Sequence, residues 1–460
     1  MNSSTRLAKN TIIYAIGNFG SKFLAYAMVL VYSYYITPKD LGYYDVVLTT
    51  ISMVQPLVIF QINDGVFRFL VDANKEVQSS IISNCVKFLC FTTIISEVVF
   101  GVICNYVKFR YAIWIGLLLA STMFFTMLQD VVRGLGKNKE YAFYGVINSL
   151  LMLSFEIIGL MFLNMGVEAL IVSKVLAYVV CIFIMFMKHV EIRSAFYTKI
   201  SFDILKPILK YSAPLIPNTI CWWVVNSSDR YIILGFLGTA SNGIYSMATK
   251  FPTILTTITS VFYLAWQESA IKEYHSENRN KFYSDIFHKY YILLLSLCLC
   301  AIPATRMVIE LFVSKEYKIA WQYTGFLYLG AALSALCSFL GMGYQISKET
   351  GRSSLTTIFA AVINFVVNIA CVKMIGLQAA CFSTFVAYAF LLIIRIQHSK
   401  RYFTLKVRWK KFVVLLIACI IEMLVVYKVS NAWLCLPLEI MTIFLLVYLN
   451  KSVFMQYIRK

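Results

Sequence analysis

Fourteen long apolar runs constrain what this chain can fold into. They cover roughly 11–35, 43–67, 81–104, 111–132, 142–164, 167–187, 211–236, 241–267, 290–313, 319–346, 354–375, 377–397, 412–428 and 432–449. A helix crossing a bilayer needs about 20 mostly apolar residues, so each run reads as a spanning helix. The boundaries and the split of 412–449 into two short spans carry the least signal. The first run follows the polar stretch MNSSTRLAKN and has no small-residue cleavage site. It is expected to stay in place as span 1 rather than leave as a signal peptide. The fold class is therefore an all-α polytopic membrane protein.

Composition agrees. Sixty per cent of the 460 residues are hydrophobic and 14% are charged, against about 45–50% and about 25% in soluble domains. Several soluble globules would lack the polar surface to cover them, and disorder is excluded by the same numbers. The formal charge is +19, from 41 Lys and Arg against 22 Asp and Glu. When residues at span ends are counted with the nearer side, about two-thirds of the cations fall on one side, which holds both termini. The connectors 188–210 and 398–411 are especially basic. The positive-inside rule then makes both termini cytoplasmic and the span number even. Orientation accounts for most of the charge, so no nucleic-acid partner is needed.

Known chemistries leave no trace. The twelve cysteines are scattered singly, mostly in apolar runs, with no CxxC and no Cys/His spacing for a metal. All four histidines fall in polar connectors, so none is placed to hold a haem within the membrane. No P-loop, Rossmann glycine pattern or nucleophile elbow occurs, and GLGK at 134–137 lacks P-loop spacing. No enzyme activity, metal or cofactor is expected.

The chain also repeats itself. At an offset of 201, Lys9 meets Lys210, Gly42 meets Gly243 and Tyr44 meets Tyr245. Further on, Val146-Ile147-Asn148 matches Val362-Ile363-Asn364. Gly166, Ala169 and Ala177-Tyr178 match Gly376, Ala379 and Ala387-Tyr388. The register drifts as loop insertions would cause. Two six-span halves of like orientation follow, a parallel repeat with a substrate site expected between them. The expected division is 1–200 for the N-terminal lobe, 201–400 for the C-terminal lobe, and 401–460 for two additional helices and a tail.

Polar residues inside spans are costly and are functional candidates by default. In span 1, Tyr14, Asn18 and Lys22 step by four along one face. Lys22 sits too deep to snorkel easily. Span 7 carries Trp222, Trp223, Asn226, Asp229 and Arg230. Span 8 adds Lys250, Pro252 and a row of Thr249, Thr253, Thr256 and Ser260. Pro252 should kink that helix. Lys22, Arg230 and Lys250 would then surround one space, and three cations imply an anionic substrate such as phosphate or pyrophosphate. The plainer accounts are that Asp229 neutralises a neighbouring cation and that Lys250 snorkels. In span 2, Gln61, Asp64 and Arg68 share a face, with Asp64 and Arg68 at pairing distance along the helix. Glu97 and Glu156 sit deep in spans 3 and 5 as coupling candidates or neutral carboxyls. Tyr14, Tyr26, Trp222 and Trp223 could line a sugar pathway, or pack and anchor the helices. Lys87 and Lys174 receive no role.

Four segments then carry a resemblance: KNTIIYAIGNFGSK (Lys9–Lys22), TPKDLGYYD (Thr37–Asp45), RGLGKNKEY (Arg133–Tyr141) and DRYIILGFLGTASNGIYSMATK (Asp229–Lys250). In order and spacing the chain resembles the polysaccharide biosynthesis (Wzx-type) flippases of the multidrug/oligosaccharidyl-lipid/polysaccharide (MOP) exporter superfamily. The resemblance implies a MATE-like fold of two six-helix lobes plus two helices, in a bacterial cytoplasmic membrane. It implies movement of undecaprenyl-pyrophosphate-linked oligosaccharides to the outer leaflet by alternating access, for O-antigen, capsule or exopolysaccharide. By position, Lys22, Arg230 and Lys250 would meet the pyrophosphate. The implied partners are the lipid-linked oligosaccharide, the bilayer, and a polymerase and glycosyltransferases.

Three alternatives compete. A flippase for the peptidoglycan precursor lipid II would share the architecture and a cationic cavity. A MATE-type multidrug antiporter should favour cations through buried carboxylates, whereas the candidates here are mostly basic. A membrane-bound glycan polymerase or ligase should carry a large external loop, and the outward connectors are only a handful of residues.

Overall fold

The computed structural model describes residues 28–194, 201–274, 276–347, 349–437 and 439–442. Among these the chain is helical nearly throughout, with no strand. It forms two compact units. Unit 1 takes the described residues up to Ile36 and then Tyr43–Trp223; unit 2 takes Thr37–Gly42 and the described residues from Val224 onward.

Unit 1 contains α1 (Pro38–Val58, beyond its first turn), α2 (Ile62–Asp72), α3 (Lys75–Tyr106), α4 (Ala112–Gly134) and α5 (Asn138–Ile157). A π turn over Ile158–Phe162 ends α5. Then come α6 (Val167–Lys188), α7 (Val190–Ser194), α8 (Phe202–Ser212) and the first part of α9 (Ile216–Ser227). Here α4 and α5 pack chiefly on α6. Unit 2 contains α10 (Asp229–Glu273), α11 (Arg279–Phe312), a 3-10 turn (Lys315–Tyr323), α12 (Thr324–Ile346), α13 (Thr350–Ile375), α14 (Gln378–Ser399) and α15 (Trp409–Lys428). Its α14 packs against both α12 and α13. At one end of this unit Trp266 stacks on Phe339 at 3.9 Å and donates its indole N–H to the Phe339 carbonyl at 3.2 Å. That pairing buries a large ring without orphaning its one polar atom.

Among the described residues, eight helices are long and apolar enough to cross a membrane, and the pair α1 and α2 makes a ninth. They fall on the expected spans 2–6 and 9–12. The run 11–35 lies largely outside the described residues, and 432–449 lies partly outside them. Large apolar side chains such as Ile94 (64% exposed) and Val98 (62%) on α3, and Val362 and Val366 on α13, face outward. Such a surface suits contact with hydrocarbon.

Span 2 is not the single helix that the run 43–67 suggests. It bends by 57° between α1 and α2. Phe60 and Gln61, at φ 51° and 53°, are both left-handed. Pro56 removes a backbone donor just before the break. The Gln61 N–H reaches back to the Pro56 carbonyl at 3.1 Å. Two consecutive left-handed residues other than glycine cost about 1–3 kcal/mol each, so surrounding packing must hold them.

The repeat is written in the backbone. Gly166, before α6, has φ 59°, ψ −136°; its match Gly376, before α14, has φ 58°, ψ −136°. Only glycine enters this region easily. Gly42 and Gly243 also answer one another. A Cβ on Gly42 would sit 1.9 Å from the Thr239 carbonyl oxygen, and one on Gly243 would sit 1.9 Å from the Pro38 oxygen. Asn242 donates its side-chain N–H to the Gly42 carbonyl at 3.0 Å. The first turn of α1 thus crosses α10 at backbone contact, as small residues permit between membrane helices. Within α10 the one non-helical residue is Gly238 (φ 82°, ψ 175°), which turns span 7 into span 8, while Pro252 lies in continuous helix.

Candidate functional site

Unit 2 holds a buried polar centre built around Asp229. This carboxylate opens α10 and is 2% exposed. A buried charge must be met by hydrogen bonds, and three donors meet it. Asn368 of α13 donates to Oδ1 at 2.8 Å, and Tyr245 of α10 donates to Oδ2 at 3.1 Å. Thr384 of α14 also donates to Oδ2 at 3.1 Å. The Thr384 hydroxyl accepts from the Asn364 side-chain N–H at 3.2 Å and shares its one proton between Asp229 and the Ala380 carbonyl, 2.9 Å away. One turn before Asp229, Asn226 accepts from the Tyr388 hydroxyl at 2.9 Å. Arg230 donates to the Asn226 carbonyl at 3.1 Å, and its guanidinium lies 5.7 Å from the Tyr245 ring.

The centre is rich in oxygen. The side-chain oxygens of Asn364 and Asn368 are buried and accept no hydrogen bond. It is the amide N–H groups of the two asparagines that face Thr384 and Asp229; oxygens of this kind are ligands for small hard cations rather than soft metals. Among the described residues no three His, Cys, Asp or Glu side chains converge. The same carboxylate could instead accept a proton.

The structure brings Asn226, Asp229 and Arg230 together. Lys250 lies further along α10, half-buried. The threonine row of span 8 bonds to its own helix: Thr249, Thr253, Thr256 and Ser260 each donate to a carbonyl three or four residues earlier. Lys22, Tyr14, Asn18 and Tyr26 lie outside the described residues.

The unit 1 candidates are dispersed. Trp223 donates its indole N–H to the Thr49 carbonyl and the Ser52 hydroxyl, both at 3.1 Å, tying α9 to α1. Trp222, its neighbour, is half-buried. Glu97 sits on α3 with its carboxylate against Gly116 of α4. Asp64 accepts from the Gln61 side chain at 2.7 Å, and Arg68 follows one turn later on α2. Glu156 is 5% exposed on α5. Lys174, given no role from sequence, places its ammonium 5.6 Å from the Tyr44 ring. Arg133 of the RGLGKNKEY stretch lies over Phe67 at 4.3 Å and borders a cleft of about 390 Å3.

Five residues of the unit 2 centre went unread as site residues: Tyr245, Asn364, Asn368, Thr384 and Tyr388. Tyr245, Asn364 and Tyr388 stand in the sequence only as repeat markers. The available signal was Asn364 and Asn368, two amides four apart in an apolar helix and therefore on one face.

A buried ionisable centre inside one unit of an all-helical chain, with apolar side chains facing outward, defines the class: a polytopic membrane protein of the MOP transporter fold. The polysaccharide biosynthesis protein family matches residues 31–264, and the chain belongs to it. Among solved structures it is similar to the lipid II flippase MurJ in an inward closed conformation. That likeness has a TM-score of 0.72 at 15% identity, over 98% of this chain and 100% of that one. An inward-facing MATE-family multidrug resistance transporter of the MOP superfamily matches with a TM-score of 0.67 at 14% identity, over 85% and 95%. A mutant of the Vibrio cholerae MATE transporter VcmN matches with 0.59 at 12%, over 87% and 98%. No curated protein matches in sequence. The fold is thus shared with the flippase MurJ and with MATE-family transporters.

Proposed function

We propose that this chain flips a lipid-linked oligosaccharide with a pyrophosphate linkage across the bacterial cytoplasmic membrane. Its termini are cytoplasmic, and it moves the glycan outward for a surface polysaccharide: O-antigen, capsule or exopolysaccharide. The observation that carries this reading is the family match over residues 31–264. The intramembrane cations support it. Lys22, Arg230 and Lys250 supply the charge an anionic linkage needs, and alternating access between repeats gives the headgroup a shielded path while the tail stays in lipid. The Asp229 centre serves as the coupling element, taking up a small cation or a proton. Each elementary charge moved across the potential contributes about 2.3 kcal/mol per 100 mV. A polymerase and glycosyltransferases would act before and after the transfer.

The test is charge reversal in cells. Lys22→Glu, Arg230→Glu and Lys250→Glu should each abolish the surface glycan while membrane levels stay unchanged. Normal glycan in all three would overturn the assignment. A second reading, transport of the peptidoglycan precursor, is favoured by the likeness to MurJ over 98% of this chain. Depletion separates the two, because lysis points to the wall precursor and loss of surface glycan alone points to the oligosaccharide.

A further inference from the structure

A groove of about 720 Å3 runs between α1, α3 and α4 in unit 1. Its walls are aliphatic and aromatic, with Val47, Val54, Phe88, Phe91, Ile95 and Val99 among them. Four lining residues carry hydroxyls, and each is turned to backbone. Thr50 donates to the Val46 carbonyl at 2.7 Å, Thr92 to Leu89 at 3.2 Å and Ser96 to Thr93 at 2.9 Å. Tyr43 donates to the Arg110 carbonyl. A polar occupant would leave water and gain no partner there. The lining therefore accepts hydrocarbon.

The connector at one end of the groove is basic. Phe109 lines the groove, and on either side of Phe109 stand Lys108 and Arg110, both exposed. The Tyr43 bond ties this connector to the start of α1. The Arg110 guanidinium lies 4.7 Å from the Tyr111 ring. Charge sidedness puts this connector on the outward side, where Lys and Arg are otherwise sparse. A hydrocarbon slot whose end connector carries two exposed cations is complementary to a long lipid chain with an anionic head.

We propose that this groove seats the isoprenoid chain of a polyprenyl-phosphate-linked glycan in the outer leaflet, with Lys108 and Arg110 holding its phosphate. This rests on the flippase reading and adds a product-side seat to it. The groove is lined by residues of unit 1, whereas Arg230 and Lys250 belong to unit 2, so product retention and headgroup passage use different residues.

Purified full-length protein in lipid nanodiscs, titrated with a fluorescent polyprenyl phosphate, tests the proposal. Ile95→Trp and Val99→Trp should fill the slot, and Lys108→Glu with Arg110→Glu should repel the phosphate. Each is expected to weaken binding about tenfold or more. Ile94→Trp, on the outward face and off the groove, should bind as the unaltered chain does. Unlabelled polyprenol and phosphatidylglycerol should both compete poorly. Unchanged affinity in either tryptophan variant that purifies as a monodisperse protein overturns the seat. Equal competition by phosphatidylglycerol overturns it too, by making the groove a general lipid slot. Surface glycan is scored separately. Glycan that persists in cells lacking the chain would sink the flippase reading even if the groove binds. Glycan lost on deletion, with binding unaffected by the groove variants, would sink the seat alone.

Discussion

Asp229 draws donors from three helices, so its replacements separate chemistry from folding. Asp229→Asn keeps the shape and removes the charge. It is expected to abolish glycan export with little loss of protein from the membrane. Asp229→Ala strands the donors of Asn368 and Tyr245, at about 1–3 kcal/mol for each orphaned group, while Thr384 keeps its bond to the Ala380 carbonyl. Its melting temperature in detergent should fall below that of Asp229→Asn. Equal melting would argue against the bonding scheme. A second residue-scale test lies outside the spans. His189 is 1% exposed beyond α6, with Lys137 donating to Nδ1 at 3.2 Å, Tyr144 at 3.1 Å from Nε2, and Glu140, Lys188 and Glu191 nearby. Burial first, and then the Lys137 charge, hold its pKa below the ordinary histidine value. The folded state therefore keeps the ring neutral, while the unfolded chain protonates below about pH 6.5. The stability this gives is present above that pH and is lost as pH falls toward the folded value. Thermal unfolding between pH 5 and 8 should show the decline, and His189→Gln should flatten it. A slope unchanged in that variant would assign the effect to another group.

At the scale of the element, the two repeat-matched glycines before α6 and α14 are the most exacting positions. Gly166→Ala and Gly376→Ala each force a Cβ into a glycine region of backbone space, at about 1–3 kcal/mol. Both should lower the melting temperature by similar amounts, because the dihedral angles agree. Gly243→Ala should do more harm, since its Cβ would meet the Pro38 backbone, which has little room to yield. These differences show what sequence could and could not reveal. Helical runs are visible because hydropathy is local, and Gly166 matches Gly376 because a required positive φ restricts the residue type. The bend after α1 escaped notice because Phe60 and Gln61 carry no glycine signature. The Asp229 centre was half legible. Asp229, Arg230 and Asn226 stand in one short stretch, whereas Asn368 and Thr384 approach them only through the packing of α13 and α14, which no spacing rule encodes.

For the whole molecule, the distribution of charge makes a topological statement open to direct test. Reporter fusions in the turns at Gly166, Gly238 and Gly376 should read as outside, and fusions near Lys137 and Thr404 as inside. A reversed or mixed pattern would overturn the orientation. It would also move Lys108 and Arg110 to the cytoplasmic face, and with them the proposed phosphate seat.

The shared conformation of Gly166 and Gly376 has a practical corollary. The five residues 165–169 (MGVEA) and 375–379 (IGLQA) enter their helices through the same pair of dihedral angles. They should behave as interchangeable parts. A chimaera with the two pentapeptides swapped is expected to fold, at the cost of the bond from the Gln378 side chain to the Tyr427 hydroxyl. A duplicated ancestor would then survive in this chain as a spare component that still fits either socket.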